Sequence, residues 1–335
     1  LIDEDSLSGI TSNPSIFESA VVSSPDYDDD IKRLSGEQKS NEEIFFEFAI
    51  SDIKRAADIL KPVYEKSNGR DGLVSMEVSP LLANDTEGSI KQARELWKAI
   101  NRKNAMIKIP GTKEGLPAIR KCISEGININ ITLLFGLNRY REVTEAYLSG
   151  LEDRLKAKQP IDHITSVASF FLSRIDVLLD PVLKEKKLDK LVGEVAIASA
   201  KEAYQIYREV FESERFKKLE KQGAKKQKVL WASTGTKDPA YSDVKYVEPL
   251  IGPDTINTLP LKTIDAFRDH GKAASSLENN LSHARQVLQP LKDNGISIDE
   301  VTQQLEEEGV EKFNEAYNKL LNAIDAKKGE SVFIK

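Results

Sequence analysis

Short apolar runs alternate with longer amphipathic stretches along almost the whole chain. In residues 41–66 the apolar side chains recur every three or four positions, which is the spacing of one face of a helix. Similar patterns predict further helices over 85–102, 114–124, 137–157 and 189–216. Between the helical stretches lie runs of β-type composition, which predict strands over 7–14, 72–80, 104–111, 127–135, 164–171, 227–235 and 255–260.

This alternation predicts parallel strands joined by right-handed crossovers. Two folds fit it, an open doubly wound sheet and a (β/α)8 barrel. Because no predicted strand leads into the G-x-G-x-x-G turn of a dinucleotide-binding sheet, we favour the barrel. The chain shows about seven strands where a barrel has eight, so we expect the first strand to precede Leu1.

We expect a single barrel domain over 1–335, with a mostly helical segment, 262–335, packed on it. An apolar stripe at helical spacing supports this packing, and it is formed by Phe313, Tyr317, Leu320 and Ile324.

The composition, the net charge and the cysteine count indicate which class of protein the chain belongs to. With 40% hydrophobic residues, 30% charged residues and a net charge of −6, the chain is typical of a globular protein and not of one that coats nucleic acid. No apolar run approaches the roughly 18 residues that span a bilayer, so we expect no membrane partner. The single cysteine, Cys122, fits a reducing compartment and hence a cytoplasmic location, and its place on an apolar helix face predicts a core residue. The oligomeric state stays open, with a homodimer as one alternative.

Polar residues interrupt nearly every predicted strand, and in a barrel the carboxyl ends of the strands build the active site. Most of these residues also have a structural explanation, since Ser and Thr bond to backbone and Asn13 before Pro14 is typical of a helix cap. Glu77 and Lys108 differ, because a buried charge is costly unless it is paired.

Two interpretations of this pair remain open. Glu77 and Lys108 form either a structural ion pair between neighbouring strands or a reactive pair. In the second, burial lowers the pKa of Lys108, and the neutral amine attacks a carbonyl to form a Schiff base. Glu77 then moves protons, directly or through a water held by Thr132. The three histidines lack metal-ligand spacing, so we expect neither a metal nor a cofactor.

Five motifs, taken together and in order, resemble transaldolase. They are GITSNPSIF (9–17), VSMEVSP (74–80), MIKIPGTKEGLPAI (106–119), GININITLLF (126–135) and SVASFFLSRID (166–176). VSPLLANDTEGSI and ASTGTKDP make the chain similar to a longer bacterial subfamily that is sometimes fused to glucose-6-phosphate isomerase. The resemblance implies a barrel of the class I aldolase type in the pentose phosphate pathway. Such enzymes move a dihydroxyacetone unit from sedoheptulose 7-phosphate to glyceraldehyde 3-phosphate, giving erythrose 4-phosphate and fructose 6-phosphate.

The resemblance also implies roles for single residues. Lys108 matches the Schiff-base lysine, Glu77 the proton-transferring glutamate, and Thr132 its partner on the catalytic water. Asn13 and Asn130 match the asparagines that hold the hydroxyls of the dihydroxyacetone unit.

The expected phosphate site lies in SFFLSR. Ser169 and Arg174 match the family's phosphate-binding pair, and Phe171 matches the aromatic residue between them. A guanidinium fork suits this task because it grips phosphate oxygens in a bidentate way. Ser233, at a strand end, is a further expected substrate contact, and Lys237 is the expected substitute for an arginine that smaller family members carry there.

The chain departs from the family's pattern at the first strand. In the family that strand carries an aspartate that handles a substrate proton, and here the strand would precede Leu1.

Two alternatives to a transaldolase stay open. One is a fructose-6-phosphate aldolase that releases free dihydroxyacetone, and the other is an inactive phosphosugar-binding homologue.

Overall fold

A computed structural model describes residues 1–330 of the chain. Its strands are β1 Gly9–Thr11, β2 Leu73–Glu77, β3 Ala105–Pro110, β4 Ile129–Leu134, β5 Ser166–Phe171, β6 Lys228–Ala232 and β7 Thr255–Asn257. Its helices are α1 Ile2–Asp5, α2 Pro14–Ser23, α3 Asp28–Gly36, α4 Asn41–Lys66, α5 Thr86–Ile100, α6 Gly115–Glu125, α7 Leu137–Lys156, α8 Ser173–Glu185, α9 Val195–Phe211, α10 Glu214–Glu220, α11 Leu261–His270, α12 Leu281–Asp293 and α13 Ile298–Glu330.

Every predicted strand contains one observed strand, and the helix predicted over 41–66 coincides with α4. The prediction over 189–216 was too simple, because that stretch divides into a 3-10 turn, α9 and the start of α10. The segment predicted as mostly helical contains α11 to α13, while residues 331–335 lie outside the described residues.

The strands follow one another in chain order in one seven-stranded sheet, β1 to β7. The pairs β1–β2, β2–β3, β5–β6 and β6–β7 are parallel. Parallel strands in sequential order, connected through helices, are the element order of the (β/α)8 class, which confirms the expected fold class. Residues 1–330 supply seven of its strands. No helix in the same residues is long and apolar enough to cross a membrane.

The chain divides into two compact units, and a single domain stays a prediction. The first unit comprises Leu1–Ile109, Lys113–Asn130 and the chain from Gly309 onward. In it α4 packs on β2 and begins with a capping box, in which Ser40 and Glu43 satisfy each other's backbone N–H groups. The four residues of the apolar stripe on α13 are buried here. Cys122 is also buried, as predicted, and burial raises the pKa of its thiol to about 12.

The second unit comprises Pro110–Thr112 and Ile131–Glu308. It holds β5, β6 and β7, whose parallel register places Ser169 opposite Leu230 and Trp231 opposite Asn257. Helix α9 packs against α7, α8 and α12, and its buried face is mostly small and aromatic side chains.

Candidate active site

Lys108 and Glu77 face each other on neighbouring strands of the first unit. The parallel register of β2 and β3 pairs the two residues directly. Lys108 Nζ donates to Glu77 Oε2 at 3.1 Å and to the carbonyl oxygen of Ser12 at 3.2 Å. Both side chains are buried, with 4% of Lys108 and 6% of Glu77 exposed. The structure therefore holds an amine and a carboxyl group in contact away from bulk water.

The surroundings of the Glu77 carboxyl group shift its pKa. Burial raises its pKa above the usual range, and the neighbouring Lys108 charge opposes that shift only in part. Glu77 Oε1 is buried and has no hydrogen-bond partner among residues 1–330. A carboxyl group with a raised pKa and an oxygen without a partner among the described residues is suited to holding and giving a proton.

Two asparagines that were expected to bind substrate have different surroundings in the first unit. Asn130 is fully buried, and its Nδ2 donates to Ser75 Oγ at 3.0 Å. Asn13 caps α2, because its Oδ1 accepts from the backbone N–H of Ile16 at 2.9 Å. The structural explanation of Asn13 as a helix cap is thus confirmed, and since the cap uses only the amide oxygen, its role toward substrate stays a prediction.

In the second unit Thr132 lies in β4 and is fully buried. Its Oγ1 has no hydrogen-bond partner in the part of the chain that the structure describes. The next residue, Leu133, has φ +56°, a left-handed conformation that costs a branched residue about 1–2 kcal/mol. The strand is therefore strained directly beside a buried hydroxyl group.

The expected phosphate site of the second unit is built at the turn after β5. The Arg174 guanidinium lies 5.8 Å from the centroid of the Phe171 ring, which in turn contacts Phe135 at 5.2 Å. Arg174 Nη1 is buried and has no partner within residues 1–330. Burial lowers the pKa of Arg174, and the charge of Glu308 opposes this shift. Unpaired guanidinium N–H groups in such a place are suited to phosphate oxygens.

The turn after β6 joins the turn after β5. Ser233 has φ +54°, and its Oγ lies 2.9 Å from Ser173 Oγ, while Ser173 N–H donates to the Ser233 carbonyl at 3.0 Å. Lys237 lies further along the chain and lines a surface groove with Tyr241 and His270. Arg174 is not one of the residues that line this groove. A phosphate role for Lys237 stays a prediction.

Comparison with known proteins decides the family. The model of the Transaldolase/Fructose-6-phosphate aldolase family matches residues 1–324. The chain belongs to this family. A transaldolase of Trichodesmium erythraeum is 48% identical, over 98% of this chain and 90% of its own. A transaldolase 2 of a Nostoc species is 46% identical, over 98% and 90%, and a transaldolase of Saccharopolyspora erythraea is 44% identical, over 97% and 88%. The resemblance is thereby confirmed, while the fusion-related subfamily stays a prediction.

Within this transaldolase-family chain, the sequence motifs missed two features near the candidate residues. The first is Phe313 on α13, whose ring centroid lies 5.9 Å from Lys108 Nζ. Its helical spacing predicted burial, but no pattern predicted the lysine as its neighbour. The second is the pair of left-handed residues Leu133 and Ser233, which no glycine or asparagine marks in the sequence.

Proposed function

We propose that the protein is a transaldolase, which transfers a dihydroxyacetone unit from sedoheptulose 7-phosphate to glyceraldehyde 3-phosphate. The products are erythrose 4-phosphate and fructose 6-phosphate. The observation that carries this proposal is the buried Lys108 amine, 3.1 Å from a Glu77 carboxyl group whose pKa is raised. The family match over residues 1–324 and the similarity to proteins named transaldolase support it.

In the first half of the reaction the Lys108 amine adds to the C2 carbonyl carbon of the ketose. Protonated Glu77 gives its proton to the carbonyl oxygen as the C–N bond forms, which makes a hydroxyl group. Glu77 then takes a proton from Nζ and gives it to this hydroxyl group, which leaves as water while Glu77 is left ionised. A protonated imine remains, covalently attached to Lys108. Thr132 Oγ1, buried and without a partner among the described residues, is the proposed hydrogen-bonding group for the water.

The protonated imine then accepts electrons. The C4 hydroxyl group gives its proton to the ionised Glu77, and the C3–C4 bond breaks. The electron pair of that bond moves toward the imine nitrogen, leaving an enamine on Lys108, while the C4–O bond becomes the carbonyl of the released aldose. The C3 carbon of the enamine attacks the acceptor aldehyde to form a new C–C bond, and the resulting alkoxide takes up a proton. Water then adds to the imine and frees the product and the amine.

Substrate binding is assigned to residues that the resemblance to the family implies. Asn13 and Asn130 hold hydroxyl groups of the dihydroxyacetone unit, and Ser169 and Arg174 hold the phosphate. The unpaired Nη1 of Arg174, stacked near Phe171, supports the phosphate role. Ser233 is a further proposed contact, and its hydroxyl lies against Ser173.

Borohydride reduction in the presence of fructose 6-phosphate tests the proposal. We expect a stable three-carbon or sugar adduct on the peptide that contains Lys108, detected by mass spectrometry. Lys108→Met removes the amine and is expected to give no adduct. Lys201→Met is the matched control, since Lys201 is also a buried lysine but donates only to carbonyl oxygens. A native, folded protein that forms no adduct would contradict the Schiff-base reaction.

A second assay separates a transaldolase from an aldolase. With fructose 6-phosphate and erythrose 4-phosphate, we expect sedoheptulose 7-phosphate and glyceraldehyde 3-phosphate as the main products. If free dihydroxyacetone forms instead at the same rate with or without the acceptor, the protein is an aldolase. Binding of phosphosugar without either product identifies an inactive homologue.

We further propose a cytoplasmic location and a homodimer. The location is supported only by the single buried cysteine, and cell fractionation tests it. Sedimentation velocity tests the homodimer, with a monomer mass of 37.4 kDa as the reference.

A further inference from the structure

Phe313 covers one side of the candidate lysine. Its ring centroid lies 5.9 Å from Lys108 Nζ, and both residues are only 4% exposed. The amine also donates to Glu77 Oε2 and to the Ser12 carbonyl oxygen. At this distance an aromatic face also attracts a cation, whether an ammonium or a protonated imine.

Contacts between α13 and α4 fix the position of Phe313 in the first unit. One helical turn further on, Tyr317 donates from its hydroxyl to Glu42 Oε1 at 2.7 Å, and its ring meets the Phe45 ring edge-on at 5.6 Å. Asn41 Nδ2 donates to the carbonyl of Leu321 at 3.2 Å. These contacts join α13 to α4 over the two helical turns that follow Phe313, so the helix that carries Phe313 is fixed there by its packing.

The enamine of the proposed reaction can follow two routes. In transfer, its C3 carbon attacks the acceptor aldehyde. In the competing route, C3 takes a proton, and water adds to the resulting imine. This second route expels free dihydroxyacetone and regenerates the amine. Both routes end when water adds to an imine, so they differ in the proton that C3 takes up in the second route. A cover over Lys108 that keeps proton-donating water from the enamine therefore shifts the ratio toward transfer.

We propose that Phe313 is a specificity-determining residue, which covers Lys108 so that water does not give a proton to C3 of the enamine and the aldehyde acceptor is favoured. This role rests on the proposed transaldolase function. It assigns to α13 a task that goes beyond filling the core, since the ring faces the reacting nitrogen.

Phe313→Ala tests the role through the ratio of dihydroxyacetone release to transfer. We expect this ratio to rise roughly tenfold, and roughly threefold for Phe313→Leu, which keeps part of the apolar cover. Phe48→Ala is the matched control. It removes an equally buried ring, which packs against Phe17 and Phe45 in the aromatic cluster of the same unit, and is expected to leave the ratio unchanged.

Labelling of Lys108 by trinitrobenzenesulfonate provides a readout without sugar. We expect the labelling rate of its peptide to rise roughly tenfold in Phe313→Ala and to stay at the native value in Phe48→Ala. If the alanine variant does not fold, the product ratio and the labelling rate are both measured on Phe313→Leu.

The two proposals fail in different ways. If the native protein forms no borohydride adduct, the proposed function is wrong, and this role falls with it. If the native protein forms the adduct and transfers, but the folded Phe313 variants keep both the native ratio and the native labelling rate, only the role of Phe313 is overturned.

Discussion

Replacing Lys108 with methionine tests whether Glu77 is as buried as the structure shows. The change keeps an apolar stem of similar length and removes the cation that lies 3.1 Å from Glu77 Oε2. In the folded variant the carboxyl group then either stays charged without a partner or takes up a proton. An unpaired buried charge costs about 3–5 kcal/mol. At each pH the carboxyl group therefore adopts whichever of the two states, charged or protonated, has the lower free energy.

The cost of taking up the proton follows from the pH. The ordinary pKa of the group is 4.5, and each pH unit above it adds about 1.4 kcal/mol to the cost of keeping the group protonated. The cost of a protonated Glu77 in the folded variant is therefore at most about 3.4 kcal/mol at pH 7 and about 0.7 kcal/mol at pH 5. Because burial raises the folded pKa of Glu77, the stability that it contributes is present below pH 4.5 and is lost as the pH rises through the folded value. The variant is therefore expected to lose up to about 2.7 kcal/mol more than the native protein between pH 5 and pH 7.

Urea unfolding at pH 5, 6 and 7, followed by circular dichroism, measures this difference. The double variant Lys108→Met/Glu77→Gln has no titrating group at the pair, so its difference from Lys108→Met should grow with pH. Lys201→Met is the control for losing a buried lysine, because its partners are carbonyl oxygens that do not titrate. If Lys108→Met costs the same at pH 5 and pH 7, Glu77 is not held in a desolvated position, and the reasoning is refuted.

Three further changes have expected outcomes. Asp176 accepts hydrogen bonds from Ala196 N–H and Tyr246 OH, and burial raises its pKa to about 6, so its stabilising effect is lost as the pH rises from 4 to 6. Asp176→Asn should therefore gain about 3 kcal/mol relative to the native protein between pH 4 and pH 7 in urea unfolding, and a constant difference would contradict this. Ser233→Ala should be about 1 kcal/mol less stable than Ser233→Gly, because only glycine adopts φ +54° without strain; equal urea midpoints would argue against that conformation. Arg174→Lys should raise KM for fructose 6-phosphate roughly tenfold and leave KM for unphosphorylated fructose unchanged in steady-state assays, whereas an equal rise for both would exclude phosphate binding.

Local patterns in the sequence were enough for most of the secondary structure and marked Glu77 and Lys108 as candidates, while the resemblance to the family supplied most of the other candidate residues. The spacing of apolar residues predicted α4 with the bounds that the structure has, because the apolar face of the helix repeats every three or four residues. Glu77 and Lys108 stood out because charges inside apolar strands are rare and costly. These signals lie within a few residues of one another, so no tertiary structure is needed to detect them.

Other features depend on residues that are far apart in the chain, and only the tertiary structure decided them. The register of β2 against β3 places Glu77 opposite Lys108, and the contacts of α13 with α4 bring Phe313 to the same lysine. Strain at Leu133 and Ser233 is likewise maintained by packing and not by local preference. The sequence by itself therefore determined the positions of most strands and helices and the two charges inside apolar strands, because residue type and periodicity are local properties. What covers and orients them was decided by packing between distant segments, which no local pattern encodes.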